Sequence, residues 1–224
     1  MSYHAIISSP LGDILLVAGG RGLEGLYFTD QRDCPQVPGL AAARKVVTQP
    51  SAGSWHGRAT KSLKVMSSID GPVAGDLPFR SGPQAVHSGS PAHKGAPQVL
   101  ELDAPAQARA VFEQTCCELE EYWRGERKVF DLPLAPQGTP FQQKVWKALL
   151  DVPCGCTLSY GELGVQAGLG DGHGRAVGTA VGSNPISIVI PCHRILARNR
   201  TLNGYGGGLD RKLRLLQLEG LTIQ

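Results

Sequence analysis

Three short apolar runs at the start of the chain predict a β-meander. They occupy residues 3–8, 14–18 and 23–28, and turn-forming residues at 10–13 and 19–22 separate them. Each run has the length of an ordinary strand. The pattern therefore predicts consecutive strands joined by tight turns.

Apolar residues at helical spacing predict a helix after residue 104. Pro105 is expected at the first helical position and Gly125 after the end. One face of this helix carries Phe112, Cys116, Leu119 and Trp123. Cys116 is then expected in the core, with Cys117 as its partly buried neighbour. A last strand is predicted at 129–134 and a linker at 135–138.

The C-terminal part is predicted to be helical, with helices at 141–150, 159–167, 175–181 and 210–219. Ser159 followed three residues later by Glu162 forms a capping box that starts the second of these helices. The glycine-rich break at 168–174 gives the outline of a helix-turn-helix. The third helix carries an interior glycine, Gly178, which costs about 1 kcal/mol relative to alanine. Such a thin helix suits close approach to DNA or, equally, to a packed neighbour.

Residues 35–98 form a segment of different composition. Pro, Gly and Ser supply 24 of its 64 positions, and its only aromatic residues are Trp55 and Phe79. Such a sequence buries too little apolar surface to offset its ordering entropy. We expect a disordered or loosely packed insert.

Composition excludes some classes of protein and leaves others open. No run of 18 apolar residues occurs, so no membrane span is expected. The N-terminal residues lack the pattern of a secretory signal, so the six cysteines are expected to be reduced. The net charge is +3, and residues 138–224 hold nine basic and five acidic residues. This balance fits nucleic-acid binding and ordinary surface charge equally well.

A candidate nucleophile follows the apolar run at 186–190. Cys192 lies between Pro191 and two potential cations, His193 and Arg194, and nearby positive charge favours a thiolate. The alternative is a buried structural cysteine, although His and Arg rarely flank a fully buried position. Neighbouring side chains in an extended chain point in opposite directions, so a turn or a bridging water is needed to bring imidazole and sulfur together.

An acid that orients the histidine has to come from another part of the chain. Glu219 is a candidate at the end of the last predicted helix. A carboxylate at a helix C-terminus opposes the helix dipole, so we expect another group to stabilise it.

The hexapeptide at 190–195, IPCHRI, resembles the active-site signature of the methylated-DNA–protein-cysteine methyltransferases, also called O6-alkylguanine-DNA alkyltransferases. Further blocks are similar to that family in order and at close to its spacing: residues 141–146, 159–163, 175–178, 183–185, 204–207 and 218–220. Together these blocks cover most of residues 138–220.

The resemblance implies an α+β fold with two domains. Residues 1–137 would form a ribonuclease-H-like N-terminal domain that contains the insert. Residues 138–224 would form a helical, winged-helix-like domain with the helix-turn-helix. The implied function is direct DNA repair, in which one alkyl group moves from O6 of guanine to the protein in a single turnover. No cofactor or metal is implied. The chain is expected to be a monomer in the cytoplasm, or in the nucleus if its source is eukaryotic.

The resemblance also implies catalytic roles. Cys192 would accept the alkyl group, and His193 would take the thiol proton through a water while Glu219 orients it. Asn184 would brace the turn between the recognition helix and the active site. Tyr205 would line the guanine pocket and help to protonate the leaving base.

The implied partner is double-stranded DNA, bound in its minor groove with the target base flipped out of the stack. Arg175 would replace the extruded base, and Tyr160 would push on its phosphate. Gln142, Ala176 and Gly178 are the further expected DNA contacts. Whether alkyl groups on O4 of thymine are also substrates stays open.

The sequence departs from the family's pattern at three places. Residues 35–98 are much longer than the usual linker, and the loop 170–174 is one residue longer and richer in glycine, which should loosen the start of the recognition helix. The zinc ligands that some members carry have no counterpart, because Cys34 stands alone.

Three other interpretations of the sequence are alternatives to an alkyltransferase. Cys154, Cys156, Cys192 and His193 could bind zinc, although their spacing is uncommon. An alkyltransferase-like protein that only binds damaged guanine would lack Cys192. A cysteine hydrolase would turn over repeatedly on an acyl substrate.

Overall fold

The structure, a computed structural model, describes residues 1–37, 98–99, 104–170 and 172–222. The three predicted strands are confirmed as β1 (Tyr3–Ile7), β2 (Ile14–Gly19) and β3 (Gly22–Phe28). They pair antiparallel in the order β3-β2-β1, and β4 (Gln98–Val99) extends the sheet by pairing antiparallel with β1. Most of the predicted disordered insert, residues 38–97, lies outside the described residues.

Strand β2 is buried at all six positions because both faces of the sheet are covered. Ile14 and Leu16 point into the main hydrophobic core, which also contains the C-terminal helices. Leu15 and Val17 point to the other face, where they pack with Ile6 and Cys34. Successive residues of a strand face opposite sides, so a strand covered on both sides is apolar throughout.

Helix α1 (Ala106–Trp123) forms where a helix was predicted, but Pro105 is its N-cap residue and not its first helical residue. The predicted inward face is partly wrong. Phe112 and Leu119 are buried as expected, whereas Cys116 and Trp123 are only partly buried and Cys117 is exposed. The residues that complete the buried face are Ala108, Val111, Thr115, Glu118 and Tyr122. Three polar residues can be buried on this face because each makes a hydrogen bond there: Thr115, Glu118 and Tyr122.

The strand predicted at 129–134 is wrong. Only Leu134 pairs with the sheet, in a single parallel bridge to Leu23. Pro133 has no N–H to donate to a strand ladder, and Val129 is 78% exposed, so this segment cannot continue as a paired strand. The Pro133 carbonyl nevertheless accepts a hydrogen bond from the Leu23 N–H at 2.7 Å.

The C-terminal part contains the predicted helices with small shifts at their ends. They are α2 (Pro140–Leu150), α3 (Tyr160–Gln166), α4 (Gly174–Gly182) and α5 (Leu209–Leu218). A 3₁₀ turn occupies Cys192–Arg194, and β5 (Leu158–Ser159) pairs in parallel with β6 (Ile195–Leu196). The predicted capping box of Ser159 and Glu162 is confirmed at the start of α3. A second one, of Thr139 and Gln142, starts α2.

The sheet contacts the C-terminal part directly. The Leu26 N–H donates to the Pro185 carbonyl at 2.8 Å, and the Ser187 N–H donates to the Leu26 carbonyl at 3.0 Å. These bonds join β3 to the chain segment that leads to Cys192. The division into two domains at residue 137 stays a prediction. Within the described residues, no helix is both long enough and apolar enough to cross a membrane.

Candidate active site

Cys192 lies at the end of a buried turn. The apolar run at 186–190 is buried at every position, as predicted, but it folds into a turn in which Ile188 has a φ of 71°. A β-branched residue rarely adopts this left-handed conformation, so the surrounding structure must hold it. Such backbone strain tends to occur next to functional groups.

Asn184 closes this turn and contacts the sulfur. Its side-chain oxygen accepts the Ile186 N–H at 3.0 Å. Its amide nitrogen donates to the Ile190 carbonyl at 2.8 Å and lies 3.1 Å from Cys192 Sγ. The amide group therefore fixes both the shape of the turn and the position of the thiol.

The next two side chains converge on Glu219. The 3₁₀ turn at Cys192–Arg194 points His193 and Arg194 inwards, and both are buried. His193 Nε2 lies 2.9 Å from Glu219 Oε1. Arg194 donates to both carboxylate oxygens, from Nε at 2.9 Å and from Nη2 at 2.8 Å. The expectation that another group must stabilise Glu219 is confirmed by this bidentate ion pair.

Two further donors complete the surroundings of Glu219. The Tyr122 hydroxyl donates to Oε1 at 2.9 Å, and the Gly155 N–H donates to Oε2 at 3.3 Å. Burial acts to raise the pKa of Glu219, but the hydrogen bonds from His193 and Arg194 and the charge of Arg194 lower it to about 2. The carboxylate is therefore ionised at neutral pH although its side chain is only 1% exposed.

The ionised carboxylate decides which nitrogen of His193 carries the proton. A carboxylate without a proton can only accept, so Nε2 must donate to it. Nδ1 is then an unprotonated acceptor. Nδ1 is buried and has no hydrogen-bond partner among the described residues. Burial lowers the pKa of His193, against the opposing effect of Glu219, so the imidazole is neutral and available as a base.

Cys192 is a buried thiol and not a preformed thiolate. Burial raises its pKa, while the Asn184 hydrogen bond and the charge of Lys212 act in the opposite direction. The expectation that the adjacent His193 and Arg194 cations stabilise a thiolate is wrong, because His193 is neutral and Arg194 is paired with Glu219. The expectation that His and Arg rarely flank a fully buried position also fails here. Cys192, His193 and Arg194 are all buried, because Glu219 pairs with both His193 and Arg194.

Lys212 was not among the candidates from the sequence. It is fully buried on α5, and its ammonium group donates to the carbonyls of Ile195, Asn203 and Gly204. Burial lowers its pKa to about 8. The signal that could have found it is a lysine on the apolar face of an amphipathic helix, three and four residues before Leu215 and Leu216.

The two candidate tyrosines, Tyr205 and Tyr160, each contact a residue of the site or of the Lys212 carbonyl cluster. The Tyr205 ring centroid is 6.5 Å from that of His193 in an edge arrangement. The Tyr205 hydroxyl is buried, and burial raises its pKa well above the usual value. Ser187 is near enough to affect this pKa but makes no hydrogen bond of good geometry to the hydroxyl. The Tyr160 hydroxyl donates to the Asn203 carbonyl at 3.3 Å.

The remaining candidates lie outside the buried cluster. Arg175 and Ala176 are exposed at the start of α4, and Gly178 is half-buried beside the Tyr160 ring. Gln142 uses its side chain to cap α2 and to donate to Ser183 Oγ at 2.8 Å. The structure thus gathers Cys192, Asn184, His193, Glu219 and Tyr205, and places the expected DNA contacts on the surface next to them.

A metal site is not formed by the described residues, among which no three His, Cys, Asp or Glu side chains come together in a metal-binding arrangement. In particular, Cys154 and Cys156 do not join Cys192 and His193 in one. The Nε2 atom of His193 is already hydrogen-bonded to Glu219.

Comparison with known proteins gives a consistent result. Residues 140–221 match the family model described as the DNA-binding domain of 6-O-methylguanine DNA methyltransferase. A methylated-DNA–protein-cysteine methyltransferase of Shigella flexneri is 54% identical over 107 residues. That alignment covers 47% of this chain and 62% of the relative, so it spans about three fifths of the relative's length.

Solved structures extend the likeness to nearly the whole chain. The O6-methylguanine methyltransferase of Mycobacterium tuberculosis is 31% identical, with a TM-score of 0.60, over 98% of this chain and 93% of that one. A structure of the M. tuberculosis protein OGT in complex with DNA is 31% identical, with a TM-score of 0.59, over 96% of this chain and 90% of that one.

Proposed function

Since the chain belongs to the family of methylated-DNA–protein-cysteine methyltransferases, we propose that it repairs alkylated DNA by taking the alkyl group onto Cys192. The substrate would be O6-alkylguanine in double-stranded DNA. The observation that carries the proposal is the buried network in which Glu219 orients a neutral His193 beside a thiol held by Asn184. This geometry supplies a nucleophile, a base and a group that orients the base.

The chemistry needs only groups that the chain provides. His193 Nδ1 would accept the thiol proton of Cys192 through a water. The sulfur would attack the alkyl carbon, forming an S–C bond while the bond between that carbon and guanine O6 breaks. Tyr205 would pass its hydroxyl proton to the leaving guanine and regain one from the His193 imidazolium through water, so that a neutral base and a neutral thioether result. The thioether is stable, so each molecule would react once.

Delivery of the alkyl carbon to a buried sulfur requires the base to leave the duplex. O6 of guanine is shielded in the stack, so the nucleotide must rotate out. We interpret α3 and α4 as a helix-turn-helix and the sheet with α1 as a ribonuclease-H-like unit. Arg175, exposed at the start of α4, would fill the gap left by the base. The protein would bind as a monomer, and further contacts to the minor groove of the DNA would come from Tyr160, Ala176, Gly178 and Gln142.

The proposal differs from its alternatives in stoichiometry. A protein that only binds damaged guanine would form no adduct. A hydrolase would release its product and react again. We propose alkyl groups on O4 of thymine as further substrates, because the same formation of an S–C bond would remove them.

Mass spectrometry of the intact protein tests this directly. Incubation with duplex DNA that contains O6-methylguanine should add one methyl group per molecule, and peptide mapping should find it on Cys192. Cys192→Ser should gain no methyl group.

Cys117→Ser is the matched control, because Cys117 is an exposed thiol that makes no contact with Cys192, His193 or Glu219 among the described hydrogen bonds, and it should react as the parent does. Absence of an adduct, an adduct on another cysteine or repeated turnover would contradict the proposal.

A further inference from the structure

The Glu219 carboxylate has a donor that comes from the N-terminal part of the molecule. Oε1 accepts from His193, from Arg194 and from the Tyr122 hydroxyl at 2.9 Å. His193 and Arg194 both belong to the 3₁₀ turn next to Cys192. Tyr122 is 97 residues away from Glu219 in sequence and lies in the last turn of α1.

The hydroxyl of Tyr122 is held rigidly. The side chain is 2% exposed, and its ring packs against Trp123 and Phe130 with centroids 5.2 and 5.4 Å away. Burial and the adjacent Glu219 carboxylate raise the pKa of this hydroxyl, so it stays a neutral donor. A donor fixed by aromatic packing gives Glu219 a constraint that solvent cannot supply.

A cavity shows why this constraint matters. A volume of about 170 Å³ lies beside the end of α1 and the end of α5, and the residues that line it include Tyr122, Arg127, Lys128, Cys154 and Glu219. Tyr122 and Glu219, which are joined by the 2.9 Å bond to Oε1, both line this cavity. Without that hydroxyl, water in the cavity could donate to Oε1 from changing directions and compete with His193.

We propose that Tyr122 is a positioning residue for alkyl transfer, which fixes the Glu219 carboxylate and through it the orientation of His193. The inference rests on the proposed function. It makes the N-terminal part a contributor to the chemistry, since the oriented base would depend on a hydroxyl from α1. Tyr122 touches neither the sulfur nor the DNA in this role.

The test is Tyr122→Phe, which removes the hydroxyl and keeps the ring. Single-turnover methylation of Cys192 by the methylated duplex should slow about tenfold, which corresponds to about 1.4 kcal/mol in activation free energy. The ¹⁵N spectrum of the His193 ring should change from one Nε2-protonated tautomer towards a mixture. Loss of packing alone would lower the melting temperature and leave the tautomer unchanged.

Two controls isolate the contact. Tyr3→Phe removes a hydroxyl from β1, outside the network, and should react as the parent does. In a Glu219→Gln background, Tyr122→Phe should cause little further slowing, because both changes act on one contact. An unchanged rate and an unchanged His193 spectrum in Tyr122→Phe would overturn the proposal, as would full additivity with Glu219→Gln.

The outcomes separate this inference from the proposed function. If the parent protein gains no methyl group, the proposed function fails, and the His193 spectra still decide whether Tyr122 orients the imidazole. If Tyr122→Phe does not fold, 3-fluorotyrosine is placed at position 122. Its ¹⁹F resonance should then move on Glu219→Gln substitution, and an unmoved resonance would contradict the contact.

Discussion

At the scale of single residues, the site depends on buried charges that neutralise one another. Glu219 and Arg194 are both almost inaccessible, and each would be costly to bury alone. Their pairing leaves His193 neutral and oriented. Lys212 is the exception, because its partners are three carbonyl groups and not a carboxylate.

The lowered pKa of Lys212 predicts a dependence of stability on alkaline pH. Its pKa falls from 10.5 in the unfolded chain to about 8 in the folded protein. Between these values the unfolded chain binds more protons, so the contribution of Lys212 to the free energy of unfolding becomes more favourable as pH rises. The full change is about 3 kcal/mol. Below pH 8 the buried charge is destabilising.

Lys212→Met should remove this dependence. The difference in free energy of unfolding between the parent and Lys212→Met should therefore grow in favour of the parent as pH rises from about 8 to 10.5. Urea denaturation at several pH values measures it. Lys147→Met, at an exposed position of α2, should show no such trend. Parallel curves for the parent and Lys212→Met would contradict the prediction.

At the scale of elements, α4 is a helix that its own sequence stabilises weakly. Its N-cap residue, His173, makes no side-chain capping bond, and no acidic residue lies in its first turn. Three of its nine residues are glycines: Gly174, Gly178 and Gly182. A Cβ at Gly178 would meet the Tyr160 ring no closer than 3.7 Å, which is ordinary contact. Packing within the chain therefore does not require glycine at this position, and an external partner explains it better.

Gly178→Ala separates the two effects. It should raise the free energy of unfolding by up to about 1 kcal/mol, because alanine favours an interior helical position. It should weaken binding to duplex DNA if α4 approaches the minor groove closely. Thermal denaturation and fluorescence anisotropy with a labelled duplex measure these quantities.

Gly182→Ala is the matched variant at the end of the same helix, where a Cβ would meet nothing within 4 Å. It should leave DNA affinity unchanged. Unchanged affinity in Gly178→Ala would remove the case for close approach at that residue.

At the scale of the whole molecule, Arg211 joins the N-terminal sheet to the segment that carries Tyr205. Its guanidinium donates to the Leu11 carbonyl at 2.7 Å and the Gly207 carbonyl at 2.9 Å, and it pairs with Asp30. It also lies 4.3 Å from the centre of the Phe28 ring. It is a further connection between the N-terminal part and the site, besides the Tyr122–Glu219 bond and the backbone bonds of Leu26.

Arg211→Met should weaken both stability and reaction. Loss of these contacts is expected to lower the free energy of unfolding by about 1–3 kcal/mol. The methylation rate should fall with it, since the segment around Gly207 supports Tyr205. Arg198→Met, at an exposed position, serves as the control in both assays. An Arg211→Met variant that is less stable but reacts at the parental rate would show that this connection serves folding alone.

The sequence was sufficient for those features that depend on neighbours along the chain. The strands of the meander, the capping box of Ser159 and Glu162, and the positions of the C-terminal helices follow from local patterns. The structure agrees with each, apart from shifts of about one residue at the ends of the helices. Cys192 could be named as the candidate nucleophile because the signature around it, residues 190–195, is contiguous. The strand predicted at 129–134 failed because an apolar run does not reveal how many of its backbone groups reach a partner. Pro133 has no N–H to donate, and within this segment only Leu134 pairs with the edge strand β3.

Only the tertiary structure decided the state of the reactive groups. Proton affinities depend on burial and on charges brought together from distant parts of the chain. The sequence placed two cations beside Cys192 and suggested a thiolate. The fold pairs Arg194 with Glu219, keeps His193 neutral, places Lys212 near the sulfur and brings the Tyr122 hydroxyl from α1. These contacts span up to 97 residues, so the sequence by itself determined which residue could react, and the folded chain determined how it would do so.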